Sequence, residues 1–174
     1  MLRRTFAFLY PVLFLAIGSW YLSLTACSPN ANIQGMGEGF LQGEWKQKAN
    51  AADQQLVNYT LYNFKFTCDS FYVQMNTFSK VNYGADTCMN KGHWTEYAKG
   101  LYNMRNDTLH LKGFYTNADQ SLKNLGGCFR AGVYEEYFKT RNEADTLLQL
   151  TNTSGVLPLN LQLTKRLTCV PKPL

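Results

Sequence analysis

The chain has 174 residues, of which 17 are Lys or Arg and 12 are Asp or Glu, and its formal net charge is +5. A positive charge this weak and dispersed argues against nucleic-acid binding, and the length suits one domain once the N-terminal segment is set aside. Charged residues make up 17% and aromatic residues 14% of the chain, which favours an apolar interior and β structure over disorder.

Residues 1–26 have the pattern of a secretory signal peptide. Arg3 and Arg4 precede a nearly uncharged apolar run over residues 5–24. A membrane-spanning helix is the alternative, because the run approaches the roughly 20 apolar residues that cross a bilayer. The small residues immediately before Cys27 favour the signal peptide, so residues 1–26 are excluded from the predicted fold.

The segment Leu24-Thr25-Ala26-Cys27 resembles the lipobox of bacterial lipoproteins. This resemblance implies cleavage before Cys27 and attachment of a diacylglycerol to its thiol, which would anchor the protein to a membrane. Residues 27–39 are rich in Asn and Gly and predict a flexible tether before a domain at residues 40–174. No aspartate and no acidic cluster follows Cys27, so we expect a periplasm-facing position on the outer membrane.

Alternation of apolar and polar residues predicts β-strands along the domain. It is clearest over residues 159–169, and eight strands can be counted from "FLQGEWKQK" onwards. A short helical turn is expected within residues 50–58. The longer connections are expected at residues 49–57, 80–91, 116–127 and 152–158, with hairpin turns elsewhere.

The predicted fold class is all-β. Eight antiparallel strands in sequence order can protect their edges by closing into an up-and-down barrel. Such a barrel has room for one small ligand or for a packed core. A two-sheet sandwich fits the strand count equally well.

The segment "FLQGEWKQ" resembles the opening of lipocalins and lipocalin-like domains. Gly43 and Trp45 match their first-strand Gly-x-Trp, and Arg166 in "LTKRL" matches the arginine of their last strand. The resemblance implies an eight-stranded lipocalin-like barrel closed by a cation–π contact worth about 1 kcal/mol. The chain lacks the family's helix after the last strand and its Thr-Asp-Tyr motif, so the assignment is to lipocalin-like (calycin-type) architecture.

The order of lipobox, Gly-rich tether, Gly-x-Trp and compact β domain resembles small lipoproteins of Bacteroidetes-type bacteria. Some of those proteins are described as fumarate hydratases. A fumarase needs a much longer helical chain and a Gly-Ser-Ser catalytic loop, and this sequence has neither.

Five cysteines are present, and lipidation of Cys27 would leave Cys68, Cys88, Cys128 and Cys169. An even number in an exported domain predicts two disulfides, although buried free thiols are an alternative. Of the three connectivities we favour Cys68–Cys88, which closes a short loop, with Cys128–Cys169, which would clip the chain end to a neighbouring strand. The Cys and His spacings do not fit a metal site, and no cofactor is expected.

Catalytic chemistry is not expected. Glu135 and Glu136 are adjacent on a predicted strand and therefore point to opposite faces, with a solvated face favoured over burial near Arg130. His93 and His110 have no nucleophile or carboxylate at a recognisable spacing.

Abundant aromatic residues could line a ligand cavity or simply pack as core. If there is a pocket, we expect Tyr102, Tyr134, Phe138 and Arg130 beside it. The leading hypothesis is a non-enzymatic lipoprotein that binds a small apolar or amphipathic ligand. The alternative is an accessory subunit that docks on a cell-envelope protein complex and has a filled barrel, and an enzyme ranks third.

The sequence Asp-Thr-Leu occurs twice, at residues 107–109 and 145–147. It resembles the O-glycosylation acceptor of exported Bacteroidetes proteins, which would place glycans on Thr108 and Thr146. The other interpretation is that Asp-Thr ends a hairpin turn and begins a strand.

Overall fold

The computed structural model describes residues 33–81, 87–125, 128–155 and 157–173. The chain divides into two compact units, one of which is Gln34–Lys172. In the other unit only Ile33 and Pro173 are described, and they form an antiparallel bridge. The predicted signal peptide and Cys27 lie outside the described residues.

The Gln34–Lys172 unit is all-β and contains almost no helix. Its strands are β1 (Gly43–Gln47), β2 (Asn58–Thr67), β3 (Ser70–Ser79), β4 (His93–Arg105), β5 (Thr108–Thr116), β6 (Val133–Ala144), β7 (Leu147–Asn152) and β8 (Leu159–Arg166). A short helix, α1 (Ala51–Gln55), follows β1, and a 3-10 helix (Thr87–Gly92) precedes β4. The count of eight strands and the helical turn within residues 50–58 are both confirmed.

Every strand pairs antiparallel with the next one in the chain, and β1 also pairs with β8. The eight strands therefore form one ring-like sheet rather than two stacked sheets. Gly43 pairs with Phe66 on one side and with Arg166 on the other, and a register shift interrupts the β1–β8 pairing between Glu44 and Trp45.

The connections have very different lengths at the two ends of the ring. The end where β2, β4 and β6 finish, called the turn end, carries the short hairpin turns. The opposite end, called the loop end, carries the connections at residues 48–57, 80–92, 117–132 and 153–158. The four long connections expected from the sequence therefore all meet at one end.

Aromatic rings run along the inside of the ring. Phe64 lies between Tyr62 and Phe66, at centroid distances of 5.7 and 5.6 Å, and Phe138 meets Phe64 edge-on at 6.1 Å. Together with inward-facing Leu, Met and Val side chains they form one buried cluster. Burying each large apolar side chain contributes roughly 1.5–3 kcal/mol, so the packed interior is the main source of stability.

The turn end is closed by the predicted indole–guanidinium contact. The guanidinium carbon of Arg166 lies 5.8 Å from the ring centre of Trp45. Arg166 also donates to the carbonyl oxygens of Phe40 (3.0 Å) and Asp145 (2.6 Å), while the buried indole N–H of Trp45 donates to the carbonyl of Leu41 (2.7 Å). Arg166 thus holds together backbone segments before β1 and between β6 and β7.

Gly43 is required beside this contact. Its φ of +154° is one that L side chains rarely adopt, and a Cβ there would lie only 2.7 Å from the carbonyl oxygen of Lys165. The glycine of the Gly-x-Trp pattern therefore lets β1 approach β8 closely.

The domain begins earlier than residue 40. The backbone N–H of Gln34 donates to the carbonyl of Lys172 (2.9 Å), and that of Gly35 donates to the carboxylate of Asp69 (2.8 Å). The N–H of Glu38 donates to the Tyr102 hydroxyl (2.9 Å). Gln34, Gly35 and Glu38, within the expected tether, are therefore hydrogen-bonded at the turn end, and the flexible tether over residues 27–39 as a whole stays a prediction.

The disulfides are Cys68–Cys169 and Cys88–Cys128, so the favoured pairing of Cys68 with Cys88 and of Cys128 with Cys169 is wrong. Cys68 lies in the β2–β3 turn at the turn end, where β8 also finishes, whereas Cys88 and Cys128 lie at the loop end. The 10 residues of β3 separate the two ends by roughly 30 Å. A disulfide needs Cα atoms within about 7 Å, so proximity in sequence was misleading.

Candidate functional site

The inner face of the ring changes from apolar to polar towards the loop end. From the turn end to the loop end, the inward residues of β2 are Phe66, Phe64, Tyr62 and Thr60, so its inner face becomes less apolar towards the loop end. β3 and β4 show the same change, since each has a buried polar residue near the loop end, Thr77 and Glu96 respectively. The loop end is therefore where polar side chains meet the aromatic core.

Glu96 and Arg130 form the strongest ionic contact of this polar layer. Glu96 is 5% exposed, and its carboxylate accepts from Nη2 (2.8 Å), Nε (3.1 Å) and the backbone N–H (3.0 Å) of Arg130. Burial alone would raise the pKa of Glu96, but the hydrogen bonds and charge of Arg130 outweigh it, so the pKa is lowered. Arg130 is in turn 5.0 Å from the ring centre of Tyr115.

Tyr134 lies beside this pair with its hydroxyl unsatisfied. The side chain is 1% exposed, and its ring packs on Phe71 (5.6 Å) and Tyr115 (5.5 Å). Within the described part of the chain its hydroxyl has no hydrogen-bond partner. Burial, followed by the nearby Tyr62 and Glu136, raises the pKa of Tyr134 well above its ordinary value. A buried hydroxyl without a partner costs about 1–3 kcal/mol.

Glu136 completes the group from the inner face of β6. It is half-buried, and its carboxylate accepts a hydrogen bond of 2.6 Å from the side-chain amide of Asn152. Its charge also contributes to raising the pKa of Tyr62, after the larger effect of burial. The inner-face residues Tyr62, Glu96, Tyr115, Tyr134 and Glu136, together with Arg130, are called the loop-end cluster below.

A cavity of about 720 Å³ opens beside the loop-end cluster. Tyr62 belongs to both, and the cavity is otherwise bounded by Gln47 and Thr60, by Leu159 of β8, and by Asp53 of α1. Asn50 holds α1 in place because its side chain caps the N–H of Asp53 (2.7 Å) while the carboxylate of Asp53 accepts from the Asn50 N–H (3.1 Å). The lining is mixed apolar and polar, as a site for an amphipathic molecule requires.

The four residues expected beside one pocket do not lie together. Tyr134 and Arg130 both approach the ring of Tyr115 at the loop end, at 5.5 and 5.0 Å. Tyr102 lies at the turn end, where its hydroxyl donates to the Cys68 carbonyl (2.7 Å) and accepts from the N–H of Glu38 (2.9 Å), and it lines a different groove. Phe138 is 1% exposed and packs edge-on against Phe64 as core.

Sequence reasoning missed Glu96 and misjudged Glu136. The expectation that Glu135 and Glu136 face opposite sides is confirmed, but Glu136 lies inside the ring rather than on a solvated face. Glu135 is on the outside, 2.8 Å from Nε2 of His110. Glu96 is the buried glutamate beside Arg130. Following the alternation of inward and outward residues along β4 to the loop end would have predicted that Glu96 faces inward.

The two candidate glycosylation sites lie at the turn end. Thr108 begins β5, and its hydroxyl donates to the side chain of Asp107 (3.2 Å). Thr146 is exposed in the turn between β6 and β7. Both readings of Asp-Thr-Leu fit these positions, and modification at either threonine stays a prediction.

The residues that the structure describes contain no group of three His, Cys, Asp or Glu side chains able to hold a metal ion. Within the same residues no helix has the length and hydropathy needed to cross a bilayer. Comparisons with protein-family models, with curated proteins and with solved structures give no match.

Proposed function

We propose that this protein is an exported, lipid-anchored, lipocalin-like binding protein. It takes a small amphipathic ligand at the loop end of an up-and-down barrel and carries out no catalysis. Anchoring would occur through Cys27 in the outer membrane, facing the periplasm. This proposal joins the lipobox resemblance to the ring-like sheet and to the site at its loop end.

The observation that carries the proposal is the hydroxyl of Tyr134. It is buried and has no partner among the described residues, and Tyr62, which is near enough to help raise the pKa of Tyr134, lines a cavity of about 720 Å³. Buried polar groups in folded proteins are nearly always hydrogen-bonded, and an exception at a cavity is typical of a ligand contact. The aromatic core below the cluster fills the deeper interior, so the ligand would bind at the loop end only.

The test is binding of 1-monodecanoylglycerol, a neutral amphiphile, measured by native mass spectrometry and isothermal titration calorimetry. We expect one molecule per chain with a micromolar dissociation constant. Tyr134→Phe removes only the hydroxyl and should weaken binding about fivefold to tenfold, as expected for one lost hydrogen bond. Its stability should be equal to or above that of the parent, since an unsatisfied buried group is removed.

Tyr137→Phe is the matched control. Tyr137 is on the same strand but on the outer face, where its ring stacks on His110 at 4.2 Å. This variant should bind as the parent does. Equal binding by the parent, Tyr134→Phe and Tyr137→Phe, or no saturable binding by the parent, would contradict the proposal.

The lipid anchor has its own test. Intact-mass measurement of the protein from membranes should show an N-terminal acylated cysteine at residue 27, and Cys27→Ser should abolish both the acylation and the cleavage before residue 27. An unprocessed N-terminus, or an unmodified thiol on the mature form, would contradict the anchor while leaving the ligand site unaffected.

The second candidate function is docking on a cell-envelope protein, with the interior serving only as core. The observation that favours it is an apolar patch on the outer face, where Leu101, Phe114 and Val133 are 50%, 51% and 58% exposed around a groove of about 510 Å³. Lys112 lines the same groove with most of its side chain exposed. Asp69 lines it as well, and Lys112 lies 3.6 Å from Glu135, so the matching partner surface would be apolar with a border of both charge signs.

A photo-crosslinking residue placed at Leu101 or at Phe114 tests this second candidate in living cells. We expect both positions to link to one and the same protein, and a reciprocal probe on that protein to link back. Asn160, exposed on β8, is the control position and should give no such link. Different proteins at the two patch positions, or equal labelling from Asn160, would rule out specific docking.

A further inference from the structure

The charges of the loop-end cluster do not balance. Glu96 and Arg130 neutralise each other through contacts of 2.8–3.2 Å. Glu136 contributes a second carboxylate, which no Lys, Arg or His within the described chain approaches to ion-pair distance. Among the described residues, the side chain that donates a hydrogen bond to its carboxylate is the neutral amide of Asn152. The cluster therefore has one net negative charge inside the ring.

The lining of the adjacent cavity adds to this negative charge. Asp53 is buried at its edge, and its hydrogen bonds go to Asn50 rather than to a cation. Lys80, an exposed lysine of the same end, donates through Nζ to the carbonyl oxygen of Gln54 (2.6 Å). Among the described residues the site thus has three carboxylates, those of Glu96, Glu136 and Asp53, against two cationic side chains, Arg130 and Lys80.

Three tyrosines belong to the same cluster as the carboxylate of Glu136. Tyr62 and Tyr134 are both near enough to Glu136 for its charge to raise their pKa values, and burial raises them further. Tyr115 meets Tyr134 at 5.5 Å and already has the guanidinium of Arg130 over its face at 5.0 Å. Aromatic faces attract cations, and desolvation strengthens that attraction. The tyrosine rings and the carboxylate of Glu136 therefore both attract a positive charge.

We infer that the ligand carries a positively charged amino group, bound at the carboxylate of Glu136 between the rings of Tyr62 and Tyr134, with its apolar part in the loop-end cavity. This inference rests on the proposed function, because it specifies the head group of the ligand for that same site. The hydroxyl of Tyr134 accepts a hydrogen bond from the ammonium group or from a polar neighbour of it.

An anionic head group fits the cluster less well. Arg130 is the cation that would receive it, but Nε and Nη2 of Arg130 are already bonded to Glu96. A second anion would have to compete with that buried ion pair and would also meet the charge of Glu136. Like charges at such a site are strongly unfavourable, so the cluster selects against anions.

Three ligands with the same ten-carbon chain test the inference: decylammonium, decanoate and 1-monodecanoylglycerol, each titrated at pH 7 and low ionic strength against the full-length protein. We expect decylammonium to bind about tenfold more tightly than the neutral glyceride, and decanoate to bind most weakly. Raising the salt concentration should reduce the advantage of the cation, because ionic contacts are screened.

Glu136→Gln is the decisive variant, since it removes the charge while keeping an oxygen that can accept from Asn152. It should weaken decylammonium binding about tenfold and thereby remove the advantage of decylammonium over the glyceride. Glu135→Gln, on the outer face of the same strand, is the matched control and should change neither. Should Glu136→Gln fail to fold, the order of the three ligands on the parent protein decides the question.

The outcomes separate the two proposals. Tight glyceride binding without a preference for the cation, or a preference for decanoate, would overturn the amino-group inference and leave the proposed function standing. Absence of binding by all three ligands would overturn both. A cation preference that persists in Glu136→Gln would overturn the assignment of the head group to Glu136.

Discussion

The rings of Phe71 and Tyr134 touch, with centroids 5.6 Å apart, although two strands lie between them in the sheet. In the sheet register Phe71 pairs with Gly100, Gly100 with Gly113, and Gly113 with Tyr134. Three strand spacings would separate the two backbones by about 14 Å in a flat sheet. The two rings meet because the glycines between them present no side chains and allow the strands to coil closely.

This relationship predicts that Gly113→Ala is strongly destabilising. A Cβ at Gly113 would collide with the backbone of Lys99 and Gly100 in the neighbouring strand, so β4 and β5 would have to separate. We expect a loss of about 1–3 kcal/mol in the free energy of unfolding, measured in urea. Gly39→Ala is the control, because a Cβ there meets nothing within 4 Å, and it should be nearly neutral. An unchanged midpoint for Gly113→Ala would contradict the close approach of the two strands.

Arg166→Ala should lower the free energy of unfolding by about 1–2 kcal/mol, because it removes the contact with Trp45 and three hydrogen bonds to backbone carbonyls. Arg166→Lys keeps the charge but not the forked geometry, so an intermediate loss is expected. Because Trp20 and Trp94 also fluoresce, the emission of Trp45 is obtained as the difference between each variant and the same variant carrying Trp45→Phe, and this difference reports on closure of the turn end. Equal stability of the Lys variant and the parent would show that charge alone is sufficient.

Peptide mapping without reduction checks the disulfides. Trypsin should release residues 66–80 linked to the peptide that begins at Leu167, and residues 81–91 linked to residues 124–130. The two cysteines of the first disulfide are 101 residues apart in the sequence, and those of the second are 40 residues apart. A chain-entropy estimate assigns them about 4.7 and 3.9 kcal/mol, so Cys169→Ser should cost somewhat more than Cys128→Ser. Links between residues 66–80 and 81–91 would contradict the pairing.

The stability should fall in acid partly through Glu96. Burial opposes its ionisation, but Arg130 lowers its pKa below the ordinary value of 4.5. Because the folded-state pKa is the lower one, this contribution is complete above pH 4.5 and is lost as the pH falls through the folded value. Thermal unfolding between pH 7 and pH 3 should therefore show a steeper decline for the parent than for Glu96→Gln. Glu44→Gln, which alters a carboxylate without an ion pair among the described residues, should decline as the parent does.

The sequence was sufficient for the parts of the fold that depend on local pattern. Alternation in β2 and β8 and the turn residues between strands predict eight strands, and the pair Trp45 and Arg166 predicts that the first and last strands meet. The disulfides could not be predicted, because which cysteines share an end of the ring depends on the length and direction of β3 and β4. The position of Tyr102 at the turn end depends on the same lengths, since its place on the long β4 decides which end it reaches.

The candidate site was predicted in part. Tyr134 and Arg130 were named, but Glu96 and Glu136 became recognisable only when the ring brought β4, β6 and residue 130 together. From sequence alone, a charged residue on a strand is expected to face solvent, because burying a charge is costly. In this protein Arg130 offsets that cost for Glu96, and Asn152 offsets part of it for Glu136.

The hydrogen bond between Gln34 and Lys172 means that the chain enters and leaves the Gln34–Lys172 unit side by side, at the turn end. A support, carrier or fusion partner joined next to Gln34 or Lys172 would therefore be attached at the turn end. Solutes would reach the opposite rim without passing that attachment, so surface-immobilised protein should show the same ligand affinity as free protein.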